Sequence, residues 1–174
     1  MVLIYTLLAV PLQSYWQPFV IMSVIPFGCV GAAIGHFVMD FPLSILSFFG
    51  MMAVMGIVVN DSLVMLTRFN DIRKEGRSLE EALVMAGGSR FRAIFLTTVT
   101  TVCGLLPLLS ETSEQAQYLI PAAISLAWGE LLATPITLFI VPLFIHIGND
   151  LIMLSRQLKR IILLQPPVEG KNLN

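Results

Sequence analysis

Two acidic side chains set inside long uncharged stretches are where chemistry would concentrate in this sequence. Asp61 follows the uncharged run 41–60, and Glu130 stands alone between the uncharged runs 115–129 and 131–149. Asn60 precedes Asp61, and Thr97-Thr98-Val99-Thr100-Thr101 lies within a third uncharged run, 93–110. A carboxylate in an apolar medium is costly unless it meets protein, water or a proton. Asn60 and Asp61 therefore either cap and glue neighbouring helices or stand on a proton or ion path. Threonine hydroxyls in an apolar helix often only return a bond to their own i−4 carbonyl; otherwise they join such a path. Glu130 is either an acid bonded to an adjacent helix or a second proton-handling group. No nucleophile–base pair, phosphate loop or metal-ligand spacing accompanies these residues, so no catalytic residue, metal site or cofactor is expected.

The elements that position these residues follow from charge. Of 174 residues, ten are Lys or Arg and eleven Asp or Glu, only 12%, while 56% are hydrophobic. A soluble domain carries about 25% charged residues. The scarcity and clustering of charge exclude a disordered chain, a secreted disulfide scaffold and a nucleic-acid binder, and leave a protein of the lipid bilayer. Cys29 and Cys103 both lie in apolar runs and read as small buried hydrophobes. His36 and His146 lie near the ends of expected spans and read as interfacial.

A bilayer crossing takes about 20 apolar residues. The uncharged run 1–39 is too long for one crossing, and Pro11 to Pro18 break it. The reading is an all-α, polytopic bundle of about five membrane helices, at 2–13, 18–38, 44–68, 91–109 and 117–146, with kinks allowed at Pro135 and Pro142. The first helix reaches only about 18 Å, so the chain is expected to begin partway along a helix. Residues 1–148 make the membrane bundle and 149–174 a tail. In the connection 69–90, Ser78-Leu-Glu-Glu81 reads as a capping box that opens a short surface helix, closed by Gly87-Gly88.

Six of the ten basic residues lie between Arg68 and Arg92, and the other four lie in the tail. The positive-inside rule places both segments in the cytoplasm. Asp61 is seven residues from Arg68, and Thr97 six from Phe91, so both sit about 10 Å deep. Depth alone allows one polar cluster. On a helical wheel, Gly50, Ala53, Gly56, Asn60, Asp61 and Thr67 fall within about 140°, and Thr97, Thr100, Thr101 and Gly104 within about 100°, with Thr98 off that face. Gly28, Gly31 and Gly35 of the second helix include a GxxxG pattern. With Gly50, Gly56 and Gly104 they are the candidate packing positions.

Several segments carry a resemblance: Ile25-Pro-Phe-Gly-Cys-Val-Gly31, Ser44-Ile-Leu-Ser-Phe-Phe-Gly-Met-Met-Ala-Val-Met-Gly-Ile-Val-Val-Asn-Asp-Ser62, Gly76-Arg-Ser-Leu-Glu-Glu-Ala82, Arg90-Phe-Arg-Ala-Ile-Phe-Leu-Thr-Thr98 and Gly104-Leu-Leu-Pro-Leu108. In this order and spacing, over residues 2–148, the chain resembles the resistance-nodulation-division (RND) efflux permeases of the acriflavine-resistance type. The similarity is to the eighth through twelfth membrane helices of such a pump. The resemblance implies a multi-pass protein of the bacterial inner membrane and a homotrimer that exports drugs or other solutes in exchange for protons. It also implies a periplasmic adaptor and an outer-membrane channel as partners. The family's relay pairs acids on the fourth helix with a polar or basic position on the tenth and a Thr on the eleventh, which fall here on Asn60 and Thr97. Many members have Lys where Asn60 stands. The acidic partner helix and the large periplasmic domains are not in this sequence, which is therefore expected not to transport alone. The relay candidates are thus Asn60, Asp61, Thr97, Thr101 and Glu130. Two other readings remain: a non-transporting module that binds partner helices, and an RND relative serving lipid or protein export.

Overall fold

The computed structural model describes residues 2–164, and the side chains of residues 2–155. It is all-α: α1 Val2–Leu12, α2 Gln17–Val38, α3 Ile45–Lys74, α4 Leu79–Leu109, α5 Glu114–Gln117 and α6 Ile120–Leu164. Among the described residues, α2, α3, α4 and the Ile120–Ser155 portion of α6 are long and apolar enough to cross a membrane. α1, at 11 residues, is shorter than a span.

Local chemistry sets the helix starts. Pro18 occupies the first turn of α2, where its missing N–H would be unpaired in any case. α3 opens on a reciprocal pair: the Ser47 N–H donates to Ser44 Oγ (3.4 Å) and the Ser44 N–H donates to Ser47 Oγ (3.0 Å). At α4 the Ser78–Glu81 box forms, with Glu81 N–H to Ser78 Oγ at 3.2 Å and Ser78 N–H to Glu81 Oε2 at 3.3 Å. The α3–α4 turn passes through Gly76 at φ +85°, a left-handed conformation that glycine adopts without a Cβ penalty.

Three helices run further than hydropathy indicates. α3 continues six residues past Arg68, to Lys74, and α4 runs unbroken from Leu79 through Gly87-Gly88 to Leu109. The surface helix and the fourth span are therefore one rod. A glycine pair costs about 2 kcal/mol in a helix interior, which a capped start and the flanking Ala, Leu, Glu and Met residues offset. α6 likewise continues past His146 and Asn149 to Leu164, so the first part of the expected tail is helical. The remainder of the tail lies outside the described residues. Residues 114–117 form the separate short α5, and α6 starts at Ile120 rather than 117.

α6 is the hub, packed on α2, α3 and α4, and its contact with α2 is the most extensive. Glycines make that approach close. A Cβ at Gly31 would lie 2.7 Å from the Trp128 carbonyl oxygen and 2.8 Å from Leu132 Cβ, and one at Gly35 would strike the Trp128 side chain. Gly28 faces Val54 of α3, and Gly50 faces the Ala122 carbonyl and Ser125 of α6. Gly56 and Gly104 have nothing within 4 Å of such a Cβ. Neither packs against another helix among the described residues.

The N-terminal end of α2 and the C-terminal part of α3 are tied by a reciprocal amide pair, Gln17 Nε2 to Asn70 Oδ1 (2.8 Å) and Asn70 Nδ2 to Gln17 Oε1 (2.9 Å). At the opposite end, His36 is buried rather than interfacial. Its Nδ1 meets the Phe41 carbonyl oxygen and its Nε2 meets Ser125 Oγ, both at 3.0 Å. Cys103 is exposed and Cys29 half-buried, so Cys103 is not the buried hydrophobe expected. Large apolar side chains such as Phe48, Phe49, Phe95 and Phe139 are exposed. In a bilayer protein these positions suit lipid or further helices rather than water.

Candidate functional site

The buried face of α3 carries Ser47, Gly50, Val54, Val58, Ser62, Met65 and Phe69. Successive steps of three and four keep these residues on one stripe. The small and polar residues grouped by the wheel do not share it. Gly50 is buried against α6 and Asp61 is half-buried at the seam with α4, whereas Ala53, Gly56, Asn60 and Thr67 are exposed.

Asn60, Asp61 and Val64 of α3 and Arg90, Ala93, Ile94 and Thr97 of α4 line one cavity of about 150 Å³. Three of the relay candidates are thus brought together. Arg90, which the sequence marked only as a cytoplasmic charge, lines the same cavity. It lies seven residues, two turns, before Thr97, a spacing that puts both on one side of α4. Thr97 Oγ1 donates to its own helix at Ala93 O (2.9 Å), and Thr100 Oγ1 contacts the Leu96 and Thr97 carbonyl oxygens (both 2.9 Å). The lone pairs of Thr97 Oγ1 are left to accept from a partner in the cavity.

The second polar feature lies one layer inward, between α4 and α6. Thr98, off the face on which the wheel grouped the other threonines, is the buried one. Its Oγ1 contacts Ile94 O at 3.1 Å and Thr134 Oγ1 of α6 at 2.8 Å. Glu130 is fully buried beside this pair, with the hydroxyls of Thr98 and Thr101 next to its carboxyl group and Asp61 within electrostatic reach. Neither Glu130 oxygen completes a hydrogen bond. Thr98 and Thr134 are the residues that sequence reasoning missed. The available signal was spacing: Ala82, Ala86, Ile94 and Thr98, the buried positions of α4, are separated by multiples of four.

The two features are neighbours, the cavity lined by Asn60, Asp61 and Thr97 and the buried group of Thr98, Thr101, Glu130 and Thr134, with Asp61 within electrostatic reach of Glu130. Alternating hydroxyl and carboxyl groups can accept, hold and pass a proton, since each hydroxyl both donates and accepts. Among the described residues no three of His, Cys, Asp and Glu cluster as a metal ion would require.

Residues 1–147 match the family described as AcrB/AcrD/AcrF. Multidrug resistance protein MdtC of Proteus mirabilis is 32% identical over 143 residues, covering 82% of this chain and 14% of that protein. MdtC of Yersinia pseudotuberculosis is 31% identical over 140 residues, covering 80% of this chain and 14% of that protein. The fold resembles the crystal structure of a heavy metal efflux pump, with a TM-score of 0.77 at 23% identity, over 86% of this chain and 15% of the pump. The chain thus spans about one seventh of the length of the curated relatives it matches. With its family match extending from α1 into α6 and its bundle shared with a solved efflux pump, the chain belongs to the AcrB/AcrD/AcrF family of RND permeases.

Proposed function

We propose that this chain is the proton-handling membrane portion of a full-length RND permease that exports drugs or other small solutes in exchange for protons. The observation that carries the reading is the single cavity in which Asn60, Asp61, Arg90 and Thr97 meet across α3 and α4. Asn60 and Thr97 hold the positions that the family resemblance assigns to the relay. Asp61 supplies a carboxyl on the same helix where many relatives have a lysine one residue earlier. Protons are the coupling ion and no organic cofactor takes part. The permease works as a homotrimer in the bacterial inner membrane, with a periplasmic adaptor and an outer-membrane channel. Its substrate is selected by parts of the permease outside this sequence.

The test is export in a pump-deficient bacterium by a full-length permease carrying this segment. Resistance or dye efflux is expected to rise and to collapse when an uncoupler removes the proton gradient. Export unaffected by the uncoupler, or no gain at confirmed membrane expression, would contradict the reading.

Orientation is a separate expectation of the same proposal. The basic residues from Arg68 to Arg92 place the α3–α4 turn in the cytoplasm, and the α4–α5 link, which carries only Glu111 as a charge, on the other side. A cysteine introduced at Ser113 should react with a membrane-impermeant thiol reagent from the periplasm, and one at Ser78 only after the membrane is opened. Both sites are exposed. The reverse pattern would overturn the topology.

A further inference from the structure

We propose that Glu130 is a proton-binding carboxyl of the transport cycle, linked electrostatically to Asp61 across the α3–α4–α6 junction. This rests on the proton-coupled reading above and gives Glu130 of α6, which lies outside the cavity that carries that reading, a defined role in it.

Glu130 is fully enclosed, yet both of its oxygens lack a partner. An acid retained to join helices would complete its hydrogen bonds, because an unpaired buried oxygen loses its hydration for nothing in return. An ion-pair role fails as well. The charged or titratable group of α3 that faces it is Asp61, also acidic, while Arg90 of α4 lines the Asp61 cavity and is not among the groups acting on Glu130. From α2, His36 is engaged with Phe41 O and Ser125 Oγ, and Cys29 is half-buried. The neighbours from α4 are hydroxyls, those of Thr98 and Thr101.

The ligand that this surrounding fits is a proton. Binding one removes the enclosed charge and gives the carboxyl an O–H to donate to a Thr hydroxyl. A hard metal cation would need about six oxygen ligands, more than one carboxyl and the neighbouring hydroxyls provide, since Thr98 is already bonded to Thr134. The transfer balances without any other reactant. One proton leaves the Asp61 carboxyl and one is gained by Glu130, leaving Asp61 ionised and Glu130 neutral, and the reverse step resets the pair. Asp61 lies within electrostatic reach of Glu130, so the charge carried by one acts on the proton held by the other.

The experiment uses a full-length permease carrying this segment in proteoliposomes, with two readouts. In pH-difference infrared spectra, Glu130→Gln should remove one protonated-carboxyl C=O signal, and Asp61→Asn should move the titration midpoint of that same signal. Substrate-driven proton flux should fall at least about tenfold in Glu130→Gln and recover in part in Glu130→Asp, which keeps an acid. If Glu130→Gln does not insert, Glu130→Asp must still show the signal and its shift on adding Asp61→Asn. Normal flux with an unchanged infrared signal in Glu130→Gln would overturn the proposal, as would a midpoint indifferent to Asp61→Asn. A midpoint that moves when choline is replaced by sodium would assign the site to a cation and overturn it too. If Asp61→Asn abolishes flux while Glu130→Gln does not, only this inference fails; if Asp61→Asn exports normally, the proton-coupled reading fails first.

Discussion

Asp61→Asn, placed in a full-length permease carrying this segment, is expected to cut export at least about tenfold while membrane expression stays level. The substitution keeps size and polarity but removes the group that exchanges a proton. Asp61 is half-buried at the seam of α3 and α4, so the amide fits the same space and the fold is retained. Thr97→Ala should have a smaller, few-fold effect, because Thr97 Oγ1 gives its proton to Ala93 O and contributes only its lone pairs to the cavity. Asn60→Ala should also lower export. Asn60 is exposed, so its loss removes a polar lining group without opening a hole in the core. Drug-susceptibility assays at matched membrane expression read all three. Wild-type export by both Asp61→Asn and Thr97→Ala would mean that the cavity residues only hold helices together.

Gly50→Leu should produce the largest loss of stability. A Cβ at Gly50 already collides with the Ala122 carbonyl oxygen and lies 2.8 Å from Ser125 Cβ. Backbone cannot yield as a flexible side chain does, so α3 must move off α6. The shift would also disturb Ser125, whose Oγ meets His36 Nε2. Overpacking typically costs 1–3 kcal/mol, and a branched side chain against backbone belongs near the top of that range, about 3 kcal/mol. Gly56→Ala, where nothing lies within 4 Å, should be neutral or raise stability by up to about 1 kcal/mol through helix propensity. Unfolding in mixed micelles, followed by circular dichroism, separates the two. Equal unfolding midpoints would show that the close approach of α3 to α6 is not what the glycine serves.

The positions of the spans were legible in the sequence because hydrocarbon excludes charge, and the gaps between charges mark the crossings. The helix ends were not, because hydropathy reports where a helix leaves the bilayer and not where it stops. α3 passes Arg68 and α4 begins at Leu79 because capping and helix-forming residues extend the rods into water. Asn60, Asp61 and Thr97 were brought to one cavity by a property the sequence states directly, equal depth from the charged ends. Thr98 was not found because counting hydroxyls per face favours the side with most threonines, and three hydroxyls on one face outweigh the one on another. Burial follows the partner helix instead: α6 presents Glu130 and Thr134 to the Thr98 side. Which face of α4 meets α6 is a tertiary fact that no wheel of α4 contains. That Gly56 and Gly104 have no neighbour among the described residues is a tertiary fact of the same kind.

Proton movement itself is the most direct measurement of whether the Asn60–Asp61–Thr97 cavity couples export. The permease would be reconstituted in proteoliposomes with a pH-sensitive dye inside and substrate added under an imposed pH gradient. The predicted result is a substrate-dependent proton flux in the wild type that disappears in Asp61→Asn, with the protein correctly inserted. Wild-type proton flux and substrate movement in Asp61→Asn would contradict it.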